Sequence, residues 1–106
     1  MEYLKLAAVT DFDATRIRSY SLFGKKVAIM RLEDGSFQAI EAACKHQGAD
    51  LTKGEINGNV VTCPRHQWQY DLLSGECLNH DSLPLRRYDL KIEEDNIFVS
   101  LRPIDD

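Results

Sequence analysis

Alternation of apolar and polar residues near the carboxyl end predicts two β-strands, each with one buried face. Tyr88, Leu90 and Ile92 alternate with Asp89, Lys91 and Glu93, and Ile97, Val99 and Leu101 alternate with Phe98, Ser100 and Arg102. A period of two residues is typical of strands, because successive side chains point to opposite faces of a sheet. The Asp95-Asn96 pair between the two runs is expected to form their turn.

Turn-forming residues divide the rest of the chain into runs that are too short for ordinary helices. They lie at Gly24, Asp34-Gly35, Gly58-Asn59 and Ser74-Gly75. Residues 26–32 and 37–41 flank the Asp34-Gly35 turn as one predicted hairpin, and residues 55–62 form a second hairpin that turns at Gly58-Asn59. Residues 10–16 fit a helical turn or a polar loop equally well. The pattern as a whole predicts an all-β fold.

The middle of the chain, at about residues 42–84, differs from the two flanks. It has shorter apolar runs and contains every cysteine and histidine. A chain of 106 residues with 43% hydrophobic and 28% charged residues is typical of one globular domain. We therefore predict a single domain over residues 1–106, with residues 42–84 as a subdomain that carries the function.

Charge and cysteine content narrow the classes of partner and the compartment. The formal net charge of -4 argues against nucleic acid as the main partner, because such binding normally requires a basic patch. We expect no membrane association, since no apolar run approaches membrane-spanning length and the first residues do not resemble an export signal. Three cysteines give an odd count. If two of them bind metal, no disulfide framework remains, which indicates the cytoplasm.

Two mixed pairs of cysteine and histidine are the candidate chemistry. Cys44 and His46 are separated by one residue, Cys63 and His66 by two, and the pairs are 16 residues apart. Residues two apart in an extended loop lie about 6–7 Å apart and face the same side, so one pair can reach neighbouring metal ions. A binuclear iron-sulfur cluster fits that span. Zinc remains an alternative, although its usual Cys2His2 sites keep the cysteines in one pair and the histidines in the other.

The pattern C-x-H-x16-C-x2-H resembles the signature of the Rieske iron-sulfur family. The similarity extends over about residues 37–92 and includes Gln47-Gly48, Leu51, Tyr70-Asp71, Ser74-Gly75 and Pro84-Leu85. The resemblance implies one 2Fe-2S cluster per chain, with Cys44 and Cys63 on one iron and the exposed His46 and His66 on the other. It also implies a β-sandwich of antiparallel sheets with a small cluster-binding subdomain at one tip.

Five further residues are candidates for tuning the cluster or docking a partner: Gln47, Gly48, Trp68, Tyr70 and Pro84. Trp68 either contacts a redox partner or packs beneath the loop. The hydroxyl of Tyr70 is in register to reach a cysteine sulfur, and the family resemblance places Pro84 in a loop that shields one side of the cluster. Cys77 is expected to be a small buried apolar residue, and His80 a simple loop residue.

Departures from the family pattern suggest a particular redox range. Ala49 and Arg65 stand where the respiratory members carry cysteines of a bracing disulfide, and Trp68 stands where they carry a serine that donates to the cluster. Fewer donors to sulfur stabilise the reduced state less, so we expect a midpoint potential of about -150 to 0 mV. Gln67 replaces a usual glycine, which predicts a somewhat altered loop.

The function predicted from these features is one-electron transfer by a monomeric soluble ferredoxin that is not itself an enzyme. Its donor would be a flavoprotein reductase and its acceptor a terminal oxygenase, such as a dioxygenase, or a related enzyme. A small Rieske-like subunit of a larger reductase, such as nitrite reductase, is the main alternative, and a zinc-stabilised binding module is a third. An oxygenase would need a second iron held by two histidines and a carboxylate, but His80 alone remains for it.

Overall fold

Nine β-strands provide nearly all of the regular structure in the computed structural model, which describes residues 3–43, 50–65 and 67–103. The strands are β1 (Leu4–Ala8), β2 (Ile17–Leu22), β3 (Lys25–Arg31), β4 (Phe37–Glu41), β5 (Glu55–Asn57), β6 (Val60–Thr62), β7 (Gln69–Asp71), β8 (Arg87–Glu93) and β9 (Asn96–Pro103). Two short 3-10 helices span Val9–Phe12 and Leu51–Lys53. Within the described residues, no helix has the length and apolar character needed to cross a membrane. The all-β prediction is confirmed.

Six strands form one antiparallel sheet in the order β1-β9-β8-β4-β3-β2. Strand β3 lies inside it and is buried on both faces, as the zero exposure of Val27, Ala28, Ile29 and Met30 shows. Val27 and Ile29 belong to an apolar core that also contains residues of β1, β4, β8 and β9. This core therefore lies against one face of the large sheet and extends across most of its strands.

Strands β5, β6 and β7 form a second antiparallel sheet, and this sheet is inserted between β4 and β8 in the sequence. It packs on the other face of the large sheet, where Val61 and Tyr70 share a second core with Met30 and Ile40. The two sheets therefore have a common apolar interface. That interface fixes the position of the loops that leave the small sheet.

Both hairpins predicted from the sequence are present. Strands β3 and β4 pair from Val27 opposite Glu41 to Arg31 opposite Phe37, and β5 pairs with β6 from Glu55 opposite Thr62. The first 3-10 helix begins at Val9 and overlaps the amino end of residues 10–16, the stretch that fitted a helical turn. Its buried Phe12 contacts Phe37 edge to face, with ring centroids 5.2 Å apart.

The predicted alternation near the carboxyl end is wrong at two positions. Ser100, assigned to the polar face, is 2% exposed, because β9 carries extra residues opposite β8 in this region and the alternation is interrupted. Ile92, assigned to the buried face, is 44% exposed near the end of its hairpin. The turn itself consists of Glu94 and Asp95, both with positive φ, and is one residue earlier than predicted.

Gly54 provides a test of how tightly the small sheet is built. A Cβ atom at this position would overlap the carbonyl oxygen of Thr62. Because a backbone oxygen cannot rotate away, Gly54→Ala should lower the free energy of unfolding by about 3 kcal/mol, the upper part of the overpacking range. Gly35→Ala is the control, since a Cβ there meets nothing within 4 Å and the cost of its φ of 89° is about 1 kcal/mol. Equal losses in chemical denaturation would contradict this account.

Candidate metal centre

The second predicted ligand pair belongs to the loop between β6 and β7. Cys63 follows β6 directly and is wholly buried. Its N–H donates to the carbonyl of Trp68 at 2.7 Å, which extends the ladder one step beyond the pair Thr62 and Gln69. The loop therefore leaves and re-enters the small sheet at one hydrogen-bonded point, and the backbone of Cys63 is held in place.

The first predicted ligand pair lies in a segment whose two ends are also tied together. Ala43 and Asp50 form an antiparallel bridge, and the N–H of Leu51 donates to the carbonyl of Ala42 at 2.8 Å. Ala42 and Leu51 belong to the same buried core as Cys63. Cys44, His46, Gln47, Gly48 and Ala49, like His66, lie outside the described residues. The described ends of both ligand loops thus rest on one core.

Asp50 caps the short helix that follows the first loop. Its carboxylate accepts hydrogen bonds from the backbone N–H of Thr52 at 2.9 Å and from the Thr52 hydroxyl at 2.6 Å. Burial raises the pKa of Asp50, but the bonds from Thr52 and the charges of Lys26 and Lys53 outweigh burial and leave the pKa below its ordinary value. The carboxylate is therefore charged at neutral pH and can keep both hydrogen bonds.

Gln67 adopts the backbone conformation for which glycine is better suited. Its φ is 61°, in the left-handed region, where a residue with a Cβ is strained by about 1–2 kcal/mol. Gln67 takes up the positive φ that glycine would supply, and the expectation of an altered loop stays a prediction. Some other contact must offset the strain.

Asn79 makes that contact by bridging two backbone groups of the ligand loop. Its side-chain amide donates to the carbonyl of Gln67 at 3.0 Å, and its side-chain oxygen accepts from the N–H of Gln69 at 3.0 Å. The two bonds lie on either side of Trp68. We call Asn79 and His80 the loop clamp, because both residues hold the segment that follows His66 in the sequence.

His80 supplies the second half of the loop clamp. Its ring stacks on the indole of Trp68, with centroids 4.3 Å apart and planes within 15°. Trp68 is also partly buried against the core that contains Cys63. Of the two interpretations of Trp68, packing beneath the loop is therefore supported. His80 lies in an exposed loop, as predicted, but no sequence motif indicated its stacking on Trp68 or the hydrogen bonds of Asn79.

The remaining candidates lie near the same loops. Tyr70 is wholly buried in the shared core, and Cys77 bridges to it at the edge of the small sheet. Cys77 is half-buried rather than buried. Pro84 is exposed and precedes the buried Leu85, whose N–H donates to the carbonyl of Gly75 at 2.8 Å. The shielding role of Pro84 stays a prediction.

The environment of Cys63 fits a metal thiolate. A cleft of about 250 Å³ lies beside it and is lined by Lys53, Gly54, Glu55, Thr62, Cys63, Pro64 and Gln67. A thiol in apolar surroundings resists ionisation, whereas a bound cation holds the sulfur as a thiolate. The described residues contain no group of three or more metal-binding side chains, and three of the four predicted ligands lie outside them. What is described of the site suits iron bound at Cys63.

Comparison with known protein families matches the Rieske [2Fe-2S] domain to residues 2–89. The chain belongs to the Rieske family. A Rieske-type 2Fe-2S cluster is thus its cofactor, and the resemblance inferred from the two Cys/His pairs is confirmed. A zinc-stabilised module is not consistent with this family.

Two curated relatives of this Rieske chain differ in how much of their length they share with it. It is 26% identical over 105 residues to the ferredoxin component of the alkene monooxygenase system of Xanthobacter autotrophicus, covering 98% of this chain and 85% of that protein. It is 32% identical over 66 residues to the oxygenase component of 3-ketosteroid-9-alpha-monooxygenase from Rhodococcus rhodochrous, covering 62% of this chain. The Rieske chain spans only 17% of the length of that oxygenase component.

Solved structures share the Rieske fold along nearly the whole chain. A chain from the complex of reduced oxygenase and oxidised ferredoxin in carbazole 1,9a-dioxygenase has a TM-score of 0.84 and 28% identity, with 92% of each chain covered. A putative NADH-dependent nitrite reductase small subunit from Mycobacterium tuberculosis has a TM-score of 0.80 at 24% identity. The second likeness shows the fold alone. Electron transfer is the function that these Rieske relatives support.

The loop clamp generates a prediction for the Rieske site. Asn79→Ala removes a donor to Gln67 and an acceptor for Gln69, so the free energy of unfolding should fall by about 1–3 kcal/mol, and the cluster should be lost faster to a chelator. Asn79→Asp keeps the acceptor but not the donor. Its stability and its rate of cluster loss should therefore lie between those of the unaltered protein and those of Asn79→Ala. Visible absorbance during chelation measures the loss.

Asn59→Ala is the matched control for Asn79. Asn59 also accepts a backbone hydrogen bond, from Glu33 at 3.0 Å, but it lies in the turn between β5 and β6, away from the Cys63 loop. Its loss should lower stability without changing the rate of chelation at a temperature where both variants are folded. The same rate in both variants would mean that Asn79 has only a general structural role.

Proposed function

We propose that this Rieske chain is a one-electron carrier, a ferredoxin that accepts an electron from a flavoprotein reductase and passes it to a terminal oxygenase. The observation that carries the proposal is the extent of the match to a ferredoxin component. The correspondence with the ferredoxin component of the alkene monooxygenase system extends over 98% of this chain and 85% of that relative. A monomeric, cytoplasmic carrier that is not itself an enzyme belongs to the same proposal.

The four proposed ligands would bind the two irons in pairs. Cys44 and Cys63 would hold one iron as thiolates, and His46 and His66 would hold the other as neutral imidazoles. The buried position of Cys63 and the common core beneath both loops support this assignment. The cluster supplies reversible storage of one electron. The boundary of the cluster-binding subdomain, about residues 42–84, is part of the proposal.

Histidine ligation determines the net charge of the oxidised cluster that accepts the electron. The charges of two ferric ions, two sulfides and two thiolates cancel, so the oxidised site is neutral, whereas two further thiolates would make it an anion. Adding an electron to a neutral site costs less Coulomb energy, and its potential is therefore higher than that of an all-cysteine site. Exposed imidazoles would give the electron a route to a partner.

The stacking of the His80 ring on Trp68 supports a packing role for this histidine. The second candidate is a fixed subunit of a larger reductase, since the chain shares its fold with a nitrite reductase small subunit. Size-exclusion chromatography of the native protein separates the two, because a carrier elutes at 12.1 kDa and a subunit elutes with its complex.

The cysteines provide the test of the ligand assignment. Cys63→Ser should abolish bound iron and sulfide and the electron paramagnetic resonance signal of the dithionite-reduced protein, because one thiolate is lost. Cys77→Ser is the matched control, since Cys77 is half-buried outside the ligand loops, and it should keep all three. One zinc per chain and no signal in the unaltered protein would refute the proposal, as would equal loss in both variants.

The midpoint potential tests the interpretation of the loops. The absence of bracing cysteines at Ala49 and Arg65, and of a serine at Trp68, leads us to expect about -150 to 0 mV by direct voltammetry. A midpoint above about +200 mV would mean that hydrogen bonds to sulfur are as numerous as in the high-potential members. The Cys77→Ser variant, altered outside the ligand loops, should show the same midpoint as the unaltered protein.

A further inference from the structure

The turn between β2 and β3 contains a residue that its backbone disfavours. Leu22 pairs with Lys25, so Phe23 and Gly24 form a two-residue loop, and their φ values of 51° and 78° are those of a type I′ turn. Asn-Gly is the preferred sequence for that turn, and a bulky residue with positive φ is an outlier. The conformation of Phe23 is therefore not what local stability would select.

Burial of the side chain does not offset the backbone strain at Phe23. Phe23 is 83% exposed, more than any other large hydrophobic residue in the described part of the chain. The β8–β9 turn has similar φ values of 51° and 64°, but it uses Glu94 and Asp95, which suit an exposed loop. Strain that persists without a stabilising contact within the protein is a reason to look for a contact outside it.

The position of the turn relates it to the cluster. The N–H of Ala42 donates to the carbonyl of Lys26 at 3.0 Å, so the hairpin tip lies beside the residues that precede Cys44. Strand β8 pairs Arg87 with Ile40 at this same end and runs away from it. The Phe23 turn and the start of the first ligand loop therefore share one end of the large sheet, and the β8–β9 turn lies at the other.

The end of the sheet that carries the Phe23 turn has an excess of positive charge, although the whole chain carries -4. Lys25, Lys26 and Lys53 are exposed at this end. Asp50 interacts with both Lys26 and Lys53, and Glu55 lines the cleft with Lys53. Glu41 and Arg86 also lie at this end, where the Glu41 carboxylate accepts a hydrogen bond from the Arg86 N–H. Four cationic side chains thus stand beside three carboxylates, and the local charge is opposite in sign to that of the molecule.

We propose that Phe23, together with Lys26 and Lys53, is a docking surface for a redox partner with an acidic face and an apolar recess. This inference rests on the proposed function as an electron carrier. An exposed aromatic residue supplies binding energy at the centre of a small interface, and complementary charge orients the encounter. A contact beside the first ligand loop would bring the partner to the end of the molecule from which the electron leaves.

A protein partner suits these residues better than a lipid surface. Stable attraction to anionic membranes typically needs clusters of about 4–8 basic residues, whereas the four basic residues at this end are largely offset by three carboxylates. Transient redox encounters bury less than about 1,200 Å², for which one aromatic anchor and a few charges are sufficient. The small size of this surface suits a transient contact with another protein.

The test uses a gold surface with a mixed carboxylate- and methyl-terminated monolayer as a stand-in for the acidic face. Phe23→Asn removes the aromatic ring while giving the turn its preferred Asn-Gly sequence, so its thermal midpoint should not fall. Adsorption followed by surface plasmon resonance should weaken roughly fivefold, equivalent to about 1 kcal/mol. Phe23→Tyr should keep most of the adsorption. Lys26→Gln should also weaken it, and this effect should vanish at 1 M salt, where the Debye length is about 3 Å.

Lys91→Gln is the charge-matched control, because Lys91 is exposed on β8 towards the far end of the sheet. It should adsorb like the unaltered protein. Equal adsorption of all variants would overturn the proposal, and so would tighter binding to phosphatidylserine vesicles than to the monolayer. Adsorption does not depend on the cluster, so a missing resonance signal would refute the proposed function and not the docking surface.

Discussion

The shared apolar core between the two sheets is the constraint on which the rest of the site depends. Ala42, Leu51 and Cys63 belong to it, and each lies at one end of a ligand loop. Burial of apolar surface contributes about 25 cal/mol per Å², so displacement of either loop would expose core residues to water. The core thereby holds the ends of the two ligand loops in fixed positions relative to each other, independently of the metal ligands.

Hydrogen bonds also fix the backbone of the second ligand loop, which begins at Cys63. The bond from the Cys63 N–H to Trp68 closes it, and the side chain of Asn79 satisfies one carbonyl and one N–H within it. An amide side chain suits this place because it can donate and accept at once. The left-handed backbone of Gln67 is tolerated within that framework.

Local pattern was sufficient to predict much of the fold. The hairpins at Asp34-Gly35 and Gly58-Asn59 followed from turn chemistry, and the family followed from the two Cys/His pairs. Ser100 could not be placed, because an irregular register depends on pairing between strands and not on one strand alone. Asn79 and His80 were missed for a similar reason, since their contacts with residues 67–69 are tertiary. Of the four ligands, Cys63 alone lies within the described residues, and the full ligand set therefore stays a prediction.

The pairing of β1 with β9 has a consequence for how this fold is used. The chain enters the large sheet through β1 and leaves it through β9, and these strands are hydrogen-bonded neighbours, with Leu4 opposite Val99. A unit whose entry and exit strands adjoin can be spliced into a longer polypeptide without parting its sheets. The same architecture can therefore serve as a separate protein or as one module of a larger one, in keeping with its likeness to a ferredoxin component and to a small fraction of an oxygenase component.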